Sequence, residues 1–179
     1  MTAVNTHIKN VPCGIAAGIL TGAGGFAVGA NEAAVPAPPG SALLLELFAD
    51  GVQIYSCAAK EGGFEWSFKA PEAALFDRQG RQIGTHFGGP TWKIEDGSAV
   101  VGEVVAKADA PEPGAIQWLL LRAKSHEGSG ALSAAAYIRR SETKGGAAPK
   151  AGCDRGHLSE QARMRYAATY QFFSAAKEK

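Results

Sequence analysis

Long apolar runs and an excess of charge of one sign are absent from this sequence, and each absence excludes a class of protein. Residues 11–28 carry no charge but include five glycines, and they are shorter than the roughly 20 apolar residues that span a bilayer, so we expect no stable membrane insertion. The 18 lysines and arginines are interspersed with 17 acidic residues, with no basic run longer than Arg139-Arg140. Nucleic-acid binding, which depends on clustered cations, is therefore not expected.

Catalytic signatures are equally scarce. No GxSxG, HExxH or GxxxxGK motif occurs, and the cysteines lack the CxxC spacing of redox enzymes and zinc knuckles. Two SxxK matches, at 141–144 and 174–177, lack the companion motifs of penicillin-interacting enzymes. A GxGxxA match at 22–27 is followed by proline-rich sequence instead of a helix, so a dinucleotide site is not supported. The sequence indicates no cofactor.

The N-terminal residues, by contrast, have the pattern of an export signal. A short start that carries Lys9 precedes the uncharged stretch, and Val28-Gly29-Ala30 provides the small residues that signal peptidase requires. We therefore expect residues 1–30 to be a signal peptide, 31–42 a spacer rich in proline and alanine, and 43–179 one β domain. The expected destination is the periplasm or the medium, which the sequence does not distinguish. Loss of Lys9 would leave 18 − 1 = 17 basic residues against 17 acidic ones.

Removal of that signal would also remove Cys13 and leave only Cys57 and Cys153. In an oxidising compartment this remaining pair favours a structural disulfide. The alternative is two buried free thiols in a cytosolic protein.

Short alternating segments dominate the rest of the chain and predict an all-β fold. Phe64, Trp66 and Phe68 alternate with polar residues, which is the clearest strand pattern in the sequence. Hairpin turns are predicted at Asp50-Gly51, at 78–80 and at Asp96-Gly97. The other predicted strands are 43–49, 52–58, 74–77, 82–87, 91–95, 98–106, 116–123 and 132–139. This pattern predicts a single antiparallel barrel or sandwich of eight to nine strands, with at most a short helix.

The C-terminal segment fits two interpretations. Tyr166, Ala168, Tyr170 and Phe172 alternate as in a strand, but several apolar residues here also fall near helical spacing. We favour a short helical turn after Leu158 and then a closing strand over 163–173, because the aromatic residues suit a pleated surface.

The most promising candidate site flanks the turn in Thr85 to Trp92. His86 and Trp92 lie on opposite sides of a Gly-Gly-Pro turn, where both could line a barrel mouth, although both could equally be core residues. Aromatic faces supply apolar contact and imidazoles orient polar groups. The predicted ligand contacts are Tyr55, Trp66, His86, Trp92 and His126, in a domain that binds a small molecule or a polymer without catalysis.

Two other functions remain open. An exported metal-assisted enzyme would use some of His86, His126, His157 and Asp154, although none of these histidines has the short spacing that makes a metal prediction specific. Paired carboxylates for glycoside chemistry are a weaker possibility, for which the candidates are Glu65, Asp77, Glu95 and Asp96. The other function is a surface module whose exposed aromatic residues contact another protein.

Ordered motifs extend along nearly the whole predicted mature chain. They are Gly51 to Cys57, Phe76-Asp77 with Gly80, His86 to Trp92, Asp96-Gly97-Ser98, Trp118 to Leu121, Tyr137 to Arg140, Thr143 to Gly146 and Cys153-Asp154. Together they resemble a bacterial and fungal family of secreted domains of unknown function, domain-of-unknown-function family 3455. The resemblance implies export but no activity and no catalytic residues. Some fungal relatives carry a malate dehydrogenase label, which this chain does not support because it lacks a nucleotide-binding unit.

Overall fold

A computed structural model describes residues 1–2 and 35–176, and it arranges the chain as one closed antiparallel β-barrel. The predicted all-β fold is confirmed, with eight strands and one 3-10 helix, Arg155–His157, in this part of the chain. The strands are β1 Leu43–Lys60, β2 Gly63–Phe76, β3 Gln82–Phe87, β4 Thr91–Ile94, β5 Ala99–Ala108, β6 Trp118–Glu127, β7 Tyr137–Gly145 and β8 Gln161–Phe173.

Closure of the barrel depends on the pairing of its first and last strands. Each strand pairs with the next one in the chain, and β8 then pairs with β1 from Leu43↔Phe173 to Ser56↔Gln161. Closure leaves no exposed sheet edge, which distinguishes this barrel from the open sandwich that the sequence also allowed. In β8 the predicted period of two is observed, because alternate residues from Tyr166 to Phe172 are buried in the interior.

The predicted hairpin at Asp50-Gly51 is wrong. β1 runs without interruption through both residues, and Gly51 pairs with Ala73 on one side and with Tyr166 on the other. A glycine is present here because the neighbouring backbone passes very close: an added Cβ would lie 2.1 Å from the carbonyl oxygen of Glu72. This glycine therefore permits close strand packing and does not form a turn.

Most other boundaries agree with the sequence analysis, but the predicted strands 64–68 and 74–77 are one continuous strand, β2. The alternating aromatic residues 64–68 lie in β2, and the turns at 78–80 and 96–97 connect β2 to β3 and β4 to β5. The predicted C-terminal strand is confirmed as β8, but the helical turn precedes Leu158 instead of following it. β7 begins at Tyr137, five residues later than predicted, because Leu132 lies in a buried turn.

The predicted disulfide between Cys57 and Cys153 is present. It joins β1 to the connection between β7 and β8, with the two Cα atoms 5.3 Å apart and 96 residues separating them in sequence. Further contacts hold the same connection against the barrel: the Tyr55 hydroxyl donates to the Gly146 carbonyl at 2.7 Å, and the Trp66 indole N–H donates to the Ala151 carbonyl at 2.9 Å. The connection therefore forms a fixed part of this end of the barrel.

The opposite end is closed by the loop between β6 and β7. Leu132 and Ala135 are fully buried in the core there. The Asp96 carboxylate accepts hydrogen bonds from the backbone N–H groups of Ser98 and Ala131 and from the Ser98 hydroxyl. The Ser98 hydroxyl hydrogen bond, followed by those two backbone bonds, lowers the pKa of the Asp96 carboxyl. This loop therefore closes the barrel interior at this end.

The predicted signal peptide falls almost wholly on residues 3–34, outside the described residues. Within the described part of the predicted spacer, residues 35–42 contain no strand. Among residues 1–2 and 35–176 no helix combines the length and apolarity of a membrane crossing.

Candidate functional site

The open end of the barrel, which we call the mouth, contains two adjoining cavities. The inner cavity, of about 200 Å³, receives at least one side chain from every one of the eight strands. The outer cavity, of about 580 Å³, lies toward solvent. The residues common to both are Gln53, Phe68, Val104, Leu119 and Arg140. The inner cavity therefore communicates with the surface through the outer one.

Short strands open the barrel at this point. β3 and β4 have only six and four residues, against 18 in β1, so the turn at 88–90 reaches less far than the opposite wall of the barrel. Gly89 in this turn has a φ of +96° and lines the inner cavity together with Pro90. Because this turn reaches less far along the barrel, the residues on its two sides, His86 and Trp92, line the inner cavity.

His86 and Trp92 form the floor of the inner cavity as a cross-strand pair. Their rings stack with centroids 4.4 Å apart and planes 11° apart, and the Tyr170 ring meets both edge-on. Gly102 has no side chain to displace the Trp92 ring from this position: an added Cβ would lie 3.2 Å from that ring. Both rings are almost completely buried, at 3% and 1% exposure, so their orientation is held by packing.

His86 presents a neutral imidazole to the cavity. Its Nδ1 lies 2.9 Å from the Thr91 carbonyl oxygen, and since a carbonyl only accepts, Nδ1 carries the proton. Nε2 is then an acceptor, and it has no hydrogen-bond partner in the described part of the chain. Burial lowers the pKa of His86 to about 3, despite the opposing bond to Thr91 and with a further contribution from the charge of Arg140. The ring is therefore uncharged at physiological pH.

Two hydrogen-bond donors at the cavity have no partner among the described residues. They are Nε2 of the Gln53 amide and Nε1 of the Trp92 indole, and both atoms are buried. Burial raises the pKa of Tyr166, and the nearby Gln53 amide partly opposes that shift, although its Nε2 does not reach hydrogen-bond geometry with any described residue. Buried donors are normally paired, so these two mark a place where an acceptor is missing.

Arg140 supplies the positive charge of the mouth. It alternates with Ile138 on β7 and so faces the barrel interior. Nε and Nη2 both donate to the Gln117 carbonyl, at 3.0 and 2.7 Å, and no carboxylate of the described residues pairs with the guanidinium. Among residues 35–176, no aspartate or glutamate lines either cavity. The charge of Arg140 is therefore not neutralised inside the mouth.

Three tyrosines surround this guanidinium. Burial raises the pKa of Tyr55, Tyr166 and Tyr170, and the charge of Arg140 partly opposes the shift in each. All three hydroxyls therefore stay protonated at physiological pH. The Tyr166 and Tyr170 hydroxyls are 3.4 Å apart, which is a weak hydrogen bond at best.

The structure brings together only some of the predicted ligand contacts. His86 and Trp92 line the inner cavity and Tyr55 lines the outer one, with its hydroxyl already bound to Gly146. Trp66 lies apart, in a separate cleft beside Cys153. His126 is near the sealed end, where its Nε2 donates to the Ala135 carbonyl at 2.8 Å.

The candidate metal and carboxylate groups are not assembled. In residues 35–176 no three histidine, cysteine or acidic side chains are arranged to hold a metal ion. His157 instead contacts Asp154 at 2.8 Å, and that hydrogen bond raises the pKa of His157. Glu65 pairs with Lys60, and Asp77 pairs with Arg81 in its own turn. These groups have local structural roles.

Gln53, Arg140 and Tyr170 were missing from the predicted site. A signal for each was present in the sequence, because each alternates with an apolar residue of its strand: Gln53 with Tyr55, Arg140 with Ile138, and Tyr170 with Phe172. Residue spacing does not reveal, however, that these three strands are neighbours in the barrel.

Comparison with known protein families finds that residues 38–174 match the family described as "Protein of unknown function (DUF3455)". The chain belongs to this family. The family region extends from just before β1 to just after β8, so it contains the whole barrel, the disulfide and both cavities. Its description assigns no activity. Neither the curated proteins nor the solved structures contain a match to the chain.

Proposed function

We propose that this DUF3455 protein binds a small ligand in the mouth of its barrel and does not catalyse a reaction. The observation that carries the proposal is the inner cavity, which is lined from all eight strands and has the stacked rings of His86 and Trp92 as its floor. Small-molecule sites are typically concave and mostly apolar, with a few polar groups that orient the ligand. The inner cavity has this composition.

The polar groups of the mouth support binding better than catalysis. General acid-base catalysis needs a group that gains or loses a proton near the working pH. His86 remains neutral and the tyrosines remain protonated, while no carboxylate of the described part of the chain lines either cavity. The groups that remain can orient a ligand but are poorly suited to proton transfer.

Obstruction of the cavity tests the binding proposal. Val104 lies at the junction of the two cavities and is 52% exposed, so a tryptophan there would occupy the entrance without disturbing the core. The neutral fluorescent probe N-phenylnaphthylamine has three aromatic rings, so it would fill the inner cavity and extend past Val104 into the outer one. We expect Val104→Trp to weaken its binding by about ten-fold or more. The measurement is a fluorescence titration of the purified barrel.

Val105→Trp is the matched control. Val105 is the next residue of β5, has a similar exposure of 49% and lines neither cavity. This variant should bind the probe like the wild type. Equal effects of the two substitutions, or no saturable binding by the wild type, would rule out the mouth as the ligand site.

We also propose that the protein is exported to the periplasm or the medium. The signal-like residues 1–30 and the disulfide together support this, since disulfides persist in oxidising compartments. Expression of the full chain in a bacterium should yield extracytoplasmic protein that begins at Asn31, as read by intact mass. Recovery of only unprocessed protein with reduced thiols would contradict export.

A further inference from the structure

The mouth has hydrogen-bond donors in excess and few acceptors. The buried N–H groups of Gln53 and Trp92 have no partner among the described residues, and neither does part of the Arg140 guanidinium. Arginine has five N–H donors; two are used on the Gln117 carbonyl, and the guanidinium also interacts with the Tyr170 hydroxyl. A ligand with acceptors at the junction of the two cavities would satisfy the Gln53 amide and the remaining donors of Arg140.

Charge in the mouth has a single sign. Lys69 lines the inner cavity, Lys107 lines the outer one and Arg140 lines both, and the described residues that line the two cavities include no acidic one. Lys69 and Lys107 are exposed to solvent, whereas Arg140 is partly buried and faces the interior. An anionic group next to Arg140 would therefore gain the strongest interaction, because a charge partly shielded from water is screened least.

The remaining lining is apolar and compact. The aromatic rings of Phe68, Trp92 and Tyr170 and the aliphatic side chains of Leu119 and Leu121 surround the inner cavity. Its volume of about 200 Å³ accommodates one ring or a short chain. A sugar or a polyphosphate would leave many of its polar groups without partners on such a surface.

We propose that the ligand is a small monocarboxylate with an aromatic or aliphatic body. The carboxylate lies at the junction of the two cavities, where it accepts hydrogen bonds from Arg140 and from the Gln53 amide. The apolar body enters the inner cavity and packs on Trp92 and Tyr170. This inference rests on the proposed binding function and specifies the class of ligand.

Three ligands of one shape test the inference. Phenylpropanoate, phenylpropanol and phenylpropylamine share an apolar body and differ in the charge of the head group. In calorimetric titrations of the mature protein we expect the acid to bind about ten-fold or more tightly than the alcohol, and the amine to bind weakest. Arg140→Gln should remove the preference for the acid and leave binding of the alcohol almost unchanged.

Arg122→Gln is the matched control, because Arg122 belongs to the neighbouring strand β6 but is exposed and pairs with Glu103 away from the cavities. It should retain the preference for the acid. If Arg140→Gln does not fold, Gln53→Leu provides a second test, because it removes only the amide and should reduce the acid preference several-fold.

The outcomes separate this inference from the proposed function. Binding of the alcohol as tightly as the acid, or an acid preference that survives both Arg140→Gln and Gln53→Leu, would overturn the ligand class. If N-phenylnaphthylamine binds in the mouth but none of the three ligands does, the binding function holds and the carboxylate proposal fails. If the probe does not bind either, both proposals fail.

Discussion

Replacement of both Cys57 and Cys153 with alanine is expected to lower the free energy of unfolding by about 4 kcal/mol. The disulfide links residues 96 positions apart, and a crosslink over so long a segment removes much of the conformational entropy of the unfolded chain. It also holds the β7–β8 connection, part of which lines the outer cavity. Urea unfolding of the oxidised wild type and the double variant measures the difference.

Reduction provides the control for this prediction. Unfolding of the wild type in the presence of a thiol reductant should reproduce the loss seen in the double variant, whereas the reductant should leave the variant unaffected. A loss below about 1 kcal/mol in both experiments would mean that the barrel and the remaining contacts of the connection suffice without the crosslink.

Replacement of Gly51 with alanine is expected to destabilise the barrel by about 3 kcal/mol or more. The added methyl group would lie 2.1 Å from the Glu72 carbonyl oxygen and 2.5 Å from the Ala73 Cα. Both are backbone atoms inside a paired ladder, so relief of the clash requires β1 and β2 to move apart. The expected loss is seen as a lower urea midpoint, or as a failure to accumulate folded protein.

Gly63→Ala is the matched substitution in the adjacent strand. Gly63 begins β2, where an added Cβ meets nothing within 4 Å and φ is not positive. Its replacement should change stability by no more than about 0.5 kcal/mol. If Gly51→Ala is as mild as Gly63→Ala, the uninterrupted β1 and its close contact with β2 would be incorrect.

The wrong hairpin prediction at Asp50-Gly51 shows what a local sequence pattern cannot distinguish. An aspartate followed by glycine between two apolar segments is a strong hairpin signal, because glycine tolerates the required backbone angles. The same dipeptide also fits mid-strand, where glycine admits a neighbouring backbone. The two uses differ only in which distant strand is adjacent, and residue spacing within 43–58 contains no information on that.

In the candidate site, too, some residues could be placed from the sequence and others only from the fold. His86 and Trp92 could be paired from sequence because five residues and a tight turn separate them from each other. Arg140, Gln53 and Tyr170 come from β7, β1 and β8, and they meet at the mouth only because the barrel closes.

By itself the sequence determined the all-β class, the approximate number of strands and the position of His86 and Trp92 on the two sides of one turn, since alternation and turn residues act within a few positions of each other. It favoured the Cys57–Cys153 disulfide only through the export signal that removes Cys13. The tertiary structure alone decided that the sheet closes and that the loop containing Leu132 closes one end of the interior. It also brought together, at one apolar cavity, an arginine without a carboxylate partner among the described residues and two buried donors without a partner there. These features depend on the register between distant strands, which is determined by the packing of the whole interior and not by any single segment.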